Sequence, residues 1–197
     1  MARSTLPTTP RIRCSWPKDD PLMVRYHDRE WGKPVHSDRK MFEFLILETF
    51  QAGLSWRTVL HKRQNFKKAF ANFDYHTVAT FTNRDVERLV KDAGIIRNRQ
   101  KIVAAIRNAK ALIEIRKHHQ TFARYMWQFT NHRTLQTNAK TSKDIPAITP
   151  LAITIAKDLK AKGFSFLGPT VVYAHMQAVG MVNDHIVECY RWKELRK

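Results

Sequence analysis

Four side chains of metal-binding type stand near opposite ends of the 197-residue chain: Cys14, His27, His185 and Cys189. His185 and Cys189 are four positions apart, so a helix would place both on one face. Imidazole nitrogen and thiolate suit zinc, which in structural sites takes four such ligands in a tetrahedron. Cys14 and His27 can supply the second pair, and one ion held by all four would tie the chain ends together and remove loop entropy. The spacing is not that of a common zinc finger. A buried structural thiol and a core histidine fit the same residues. Two cysteines so far apart argue against a disulfide framework.

A second group surrounds Glu48. It lies three positions after Leu45 and four before Ala52, on the face that apolar spacing turns inward. An ionised carboxylate is costly there without a partner. Two arrangements answer that cost: an ion pair with one of the many Arg or Lys side chains, or a recognition or catalytic role in an apolar pocket beside Trp56. Tyr26, Trp16, Trp31 and Trp56 offer flat rings on which an extruded base can stack, although tryptophan at helical spacing more often serves as core. Gly53 and Leu54 fall at a helix junction, where an apolar tip can enter a base stack or simply pack inward. Further on, a helix, a tight turn and a second helix are expected, with Gly94, Ile95, Ile96 and Arg97 as the turn. Such a hairpin can offer backbone N–H groups to a phosphate, with Arg97, Arg99 and Lys101 adding charge. An ordinary hairpin with a solvated basic face fits that pattern too.

The elements that position these residues are almost all helices. Ser37 and Asp38 predict a helix start, with Gly53 closing that helix, and Ser55 predicts another running through Val59 and Phe66. Thr82 or Asn83 opens the next, with Gly94 at its C-terminal cap. A long helix is expected over about residues 98–119. Thr149-Pro150 and Gly168-Pro169 predict two more starts, with Gly163 and Gly180 as stops. The polar stretch 131–146 reads as a soft boundary between two lobes of one domain.

Lys and Arg outnumber Asp and Glu by 35 to 17, for a formal net charge of +18. That surplus favours polyanions, and nucleic acid over an anionic membrane surface, because no separate basic amphipathic anchor stands out. No apolar run reaches the roughly 18 residues of a membrane span. Residues 1–12 read as a basic tail without a signal-peptide core, residues 13–190 as the domain and residues 191–197 as a basic C-terminal tail.

Taken together, Cys14-Ser15-Trp16, Tyr26-His27-Asp28-Arg29-Glu30-Trp31-Gly32, Leu47-Glu48, Gln51-Ala52-Gly53-Leu54-Ser55-Trp56, Asp92-Ala93-Gly94-Ile95-Ile96-Arg97 and Val182-Asn183-Asp184-His185 resemble the 3-methyladenine DNA glycosylase I family. The resemblance runs from about Arg13 to Cys189. It implies an all-α helix-hairpin-helix DNA glycosylase fold of two helical lobes, with both ends tied by one structural zinc on Cys14, His27, His185 and Cys189. It implies hydrolysis of the N-glycosidic bond of 3-methyladenine in alkylated double-stranded DNA, as the first step of base excision repair. Glu48 would recognise the base, Tyr26 and Trp56 would pack on it, and Trp16 and Trp31 would help line the pocket. Gly53 and Leu54 would fill the gap left in the duplex, while the Gly94 hairpin grips the backbone. Thr49, Phe50 and Met23 depart from residues found in some members. The only Asp between Asp92 and Asp158 is Asp144, in a loop-like stretch, and it is not assigned a role beside the sugar; a lyase would need an activated lysine and none stands out in the pocket motifs, so a monofunctional enzyme is expected. It is also expected to be monomeric and cytoplasmic.

Overall fold

A computed structural model of the chain describes residues 11–196. Most of the expected basic tail, residues 1–10, lies outside the described residues, as does residue 197. Helix α1 (Pro21–Arg29) starts where Asp20 accepts hydrogen bonds from the N–H groups of Leu22 and Met23, with Pro21 at the first position. Asp20 also accepts from Arg57 Nε at 2.7 Å, which ties α1 to the start of α3 (Trp56–His61). Between them runs α2 (Asp38–Gln51), capped by Ser37. Met41, Phe42, Phe44, Leu45, Ile46, Leu47 and Phe50 are all buried, so α2 is apolar nearly all round and forms the centre of the molecule.

The helix expected from Ser55 through Phe66 is two helices, α3 and α4 (Arg63–Ala69), separated at Lys62, whose N–H turns back to the Val59 and Leu60 carbonyls. No glycine or proline marks that break. Next come α5 (Tyr75–Ala79), α6 (Asn83–Lys91) and α7 (Arg99–His119), followed by α8 (Phe122–Trp127). Thr82 and Asp85 form a reciprocal capping box at α6, and the Asn98 side chain caps α7. Helix α6 stops at Lys91, and Gly94 is not its cap. Asp92 turns extended and accepts a hydrogen bond from Gly94 N at 2.7 Å through its own side chain.

The stretch read as a soft boundary carries β1 (Leu135–Gln136), which pairs in parallel with β2 (Val182–Asn183). The intervening chain supplies α9 (Pro150–Ala161) and α10 (Pro169–Ala178), both starting at the expected prolines and packed on each other, with α10 also on α2. Residues 191–197 are not a tail throughout. Helix α11 (Tyr190–Leu195) folds back, and its buried Trp192 donates from Nε1 to the Thr137 carbonyl at 2.7 Å. Gly180 ends α10 with φ +75, and a Cβ there would run into the backbone of Lys33 and Pro34. That close approach lets Gly32 N donate to the Gln177 carbonyl and Val35 N to the Val179 carbonyl, both at 3.0 Å. Among the described residues, no helix is long and apolar enough to cross a membrane.

Candidate active site and metal centre

Glu48 projects from α2 into a cavity of about 350 Å³ walled by Trp16, Met23, Tyr26, Trp31, Gln51 and Trp56. It is 5% exposed. It forms no ion pair and no hydrogen bond among the described residues, and burial alone pushes its carboxyl up to about 8. The alternative open from the sequence, a permanent cationic partner, is realised by other glutamates. Arg63 gives two guanidinium nitrogens to Glu30 at 2.7 and 2.8 Å and its Nε to Glu43 at 2.7 Å.

The aromatic walls carry unmet donors. The Tyr26 hydroxyl and the indole N–H groups of Trp16 and Trp56 are buried without hydrogen-bond partners. Each such group costs about 1–3 kcal/mol when nothing accepts from it. All three belong to residues that wall one cavity together with the unpaired Glu48 carboxyl, a combination that could receive a flat, polar molecule. Ring centroids of Tyr26 and Trp56 lie 5.0 Å apart, and those of Trp16 and Trp31 5.1 Å. Burial, reinforced by the Glu48 charge, raises the Tyr26 hydroxyl well above its ordinary pKa, so it stays a donor.

Four further wall residues, Ser142, Ile145, Ala174 and Gln177, were not expected from the sequence. Ser142 and Ile145 come from the stretch read as a boundary, and a polar loop gives no sign of what it covers. Asp144 is committed locally, its Oδ2 accepting from the N–H groups of Lys140 and Thr141 at 3.0 and 2.8 Å.

Cys14, His27, His185 and Cys189 meet, all buried, with their ligating atoms within 4.8 Å of one another. His185 and Cys189 do not share a helix. They sit on a turn after β2, and Cys189 is the N-cap of α11. His185 Nδ1 lies 3.2 Å from His27 Nε2, 3.6 Å from Cys14 Sγ and 3.5 Å from Cys189 Sγ. A tetrahedral ion with bonds of about 2.0 Å to nitrogen and about 2.3 Å to sulfur requires edges of about 3.3–3.8 Å, which these distances approach. The outer nitrogens have partners of their own: His27 Nδ1 with Asp28 at 2.8 Å, and His185 Nε2 with the Trp31 carbonyl at 3.1 Å. Those contacts select the tautomers that leave His27 Nε2 and His185 Nδ1 for an ion. Hydrogen bonding from Cys14 and the two imidazoles holds Cys189 toward its thiolate.

Leu54 is 44% exposed on a left-handed Gly53 with φ +81, so it is a tip and not core. In the hairpin, Ile95 is buried, Ile96 is half-buried and Arg97 is exposed. Arg99 is exposed and pairs with Glu87 at 2.6 Å. Lys101, expected beside a phosphate, is instead buried, with Nζ donating to the Phe50 and Ala52 carbonyls at 3.1 and 2.5 Å. It satisfies the C-terminal carbonyls of α2 next to Gly53, and its buried ammonium has a lowered pKa.

The family model for methyladenine glycosylase matches residues 16–192. The chain belongs to that family. It is 48% identical to DNA-3-methyladenine glycosylase 1 of Escherichia coli K12 over 177 residues, covering 90% of this chain and 95% of that protein. A crystal structure of 3-methyladenine DNA glycosylase I superposes with a TM-score of 0.88 at 46% identity, covering 91% of this chain and 98% of the other. A tyrosine-to-phenylalanine variant of a 3-methyladenine DNA glycosylase I, solved in complex with 3-methyladenine, superposes with a TM-score of 0.88 at 31% identity, covering 90% and 96%. The methyladenine glycosylase match takes in the aromatic walls, Glu48, both histidines and Cys189, while Cys14 lies two residues before it.

Proposed function

We propose that this chain hydrolyses the N-glycosidic bond of 3-methyladenine in alkylated double-stranded DNA. The observation that carries the proposal is the unpaired, buried Glu48 carboxylate facing a cavity walled by aromatic rings. Methylation at N3 leaves the nucleobase cationic, so it departs without strong protonation. A cation entering the cavity stabilises the ionised form of Glu48, which has no charge partner otherwise. Tyr26 and Trp56 stack on the ring, and Trp16 and Trp31 close its edges. The bond from C1′ to the base nitrogen breaks with its electron pair going to the base, and water adds to C1′ and releases a proton. A neutral base leaves Glu48 without a cation and the buried donors poorly matched, which is the source of selectivity. Among the described residues no lysine lines the cavity, and the reaction proposed is hydrolysis without a lyase step.

Gly53 and Leu54 would occupy the gap left by the extruded nucleotide; Leu54 is an exposed apolar tip, and its neighbours in sequence Gln51 and Trp56 wall the cavity. The 94–97 turn contacts phosphate through its backbone and Arg97, with Arg99 beside it. Lys101 is excluded from that role by its buried partners. Arg97→Ala is expected to weaken DNA binding by about 1 kcal/mol and to reduce the slope of log affinity against log salt by about one. Equal slopes in a salt titration would exclude the contact.

Zinc is the ion that two thiolates and two imidazoles in a buried tetrahedron fit best. It would act structurally, with all four positions filled by protein. Repair of DNA accords with a cytoplasmic location. Chromatography of bases released from methylated duplex DNA tests the activity: release of 3-methyladenine is expected, and salt-sensitive binding without release would mark a DNA-binding module instead.

A further inference from the structure

The Asp184 carboxylate, part of the Val182-Asn183-Asp184-His185 motif, is 1% exposed and takes three donors. Thr137 Oγ1 donates to its Oδ1 at 2.8 Å, and the Tyr173 hydroxyl and Gln177 Nε2 both donate to its Oδ2 at 2.7 Å. Tyr173 and Gln177 are four apart on α10 and reach the same oxygen from one face. Because a carboxylate only accepts, Gln177 is held with its amide nitrogen toward Asp184; the flipped amide would set two acceptors against each other. The Gln177 carbonyl oxygen Oε1 has no partner among the described residues, and the side chain lines the same cavity as Glu48. Its backbone is fixed as well, through the hydrogen bond from Gly32 N.

We propose that Gln177 is a specificity-determining residue whose Oε1 accepts from the exocyclic amine of the bound adenine, and that Asp184 is the positioning residue that keeps it an acceptor. This rests on the glycosylase reading above. An adenine amine carries two N–H groups, and the cavity then offers two acceptors, the Glu48 carboxylate and Gln177 Oε1. Guanine places a carbonyl oxygen at that position, where it meets lone pairs instead of donors. An amide free to rotate would serve either base; one locked by a buried carboxylate serves only a donor.

The test is excision of 3-methyladenine and of 3-methylguanine from the same methylated duplex, at one temperature, by the wild type, Gln177→Met and Gln177→Ala, with the melting temperature of each measured to show that it is folded under the assay conditions. Gln177→Met retains length and removes both amide groups, while Asp184 retains two donors. The expected result is a drop of about tenfold in kcat/KM for 3-methyladenine with no drop for 3-methylguanine, so that the ratio between the bases shrinks about tenfold. Gln177→Ala gives the same readout should the methionine disturb packing. Parallel loss for both bases, or an unchanged ratio in both variants, overturns the role of Gln177. A wild type that releases neither base refutes the glycosylase reading itself.

Discussion

Glu48→Gln is expected to lower 3-methyladenine excision about a hundredfold while making the folded protein more stable at alkaline pH. The two effects have one origin. The glutamate is buried beside aromatic rings with no cation of its own, and its pKa is pushed up to about 8. Loss of a charge-assisted contact to a cationic base is worth about 3 kcal/mol, which is about a hundredfold in rate. The stability effect has a definite sign. A carboxyl whose folded pKa lies above its unfolded value binds protons more tightly when folded. Its contribution is therefore fully present below the ordinary carboxylate range and is lost as pH rises to about 8. Glutamine does not titrate, so calorimetry should find the variant more stable by an amount on the order of 5 kcal/mol at pH 9 and equal to wild type near pH 4. In the wild type, kcat/KM should fall as pH drops through about 8, because the free enzyme must ionise Glu48 to receive the cation. Unchanged excision by the variant, or a flat rate profile across that range, would remove Glu48 from the mechanism.

Removal of the metal is expected to have the second large effect. The folded chain should carry one zinc by elemental analysis, and Cys189→Ser or prolonged chelation should lower the melting temperature by about 10 °C or more, equivalent to several kcal/mol for a domain of this size. Activity should go with it, since three of the cavity walls hang on the cluster. Trp16 follows Cys14 by two residues and sets its ring edge-on to His27 at 5.4 Å, Tyr26 precedes His27, and the Trp31 carbonyl is the partner of His185 Nε2. A chelated protein that retains its melting temperature would show that the four residues hold together without an ion.

What could be read in advance was what depends on neighbours in sequence. Ser37 and Thr149 each cap the helix they were expected to open, as does Thr82 of the pair Thr82 or Asn83, because a cap is settled within three or four residues. The inward face of Glu48 followed from helical spacing alone. Other features depend on parts of the chain that meet only in the fold. Lys101 looks basic and solvated until α2 ends against it and takes its ammonium. His185 and Cys189 come together through a turn, so the helical spacing that singled them out is not what joins them. The β1–β2 ladder is two residues long on each side, too short for alternation to register. Ser142 and Gln177 acquire meaning only from the cavity they border.

The hydrogen-bond distance of 3.1 Å between His185 Nε2 and the carbonyl of Trp31 also bears on how the protein comes off the ribosome. A nascent chain that stops anywhere short of position 185 lacks the group that holds this wall, even if it already contains Glu48, the 53–54 tip and the 94–97 turn. Completion of the Trp31 wall is thus coupled to the synthesis of residue 185 and not to that of the cavity residues before it.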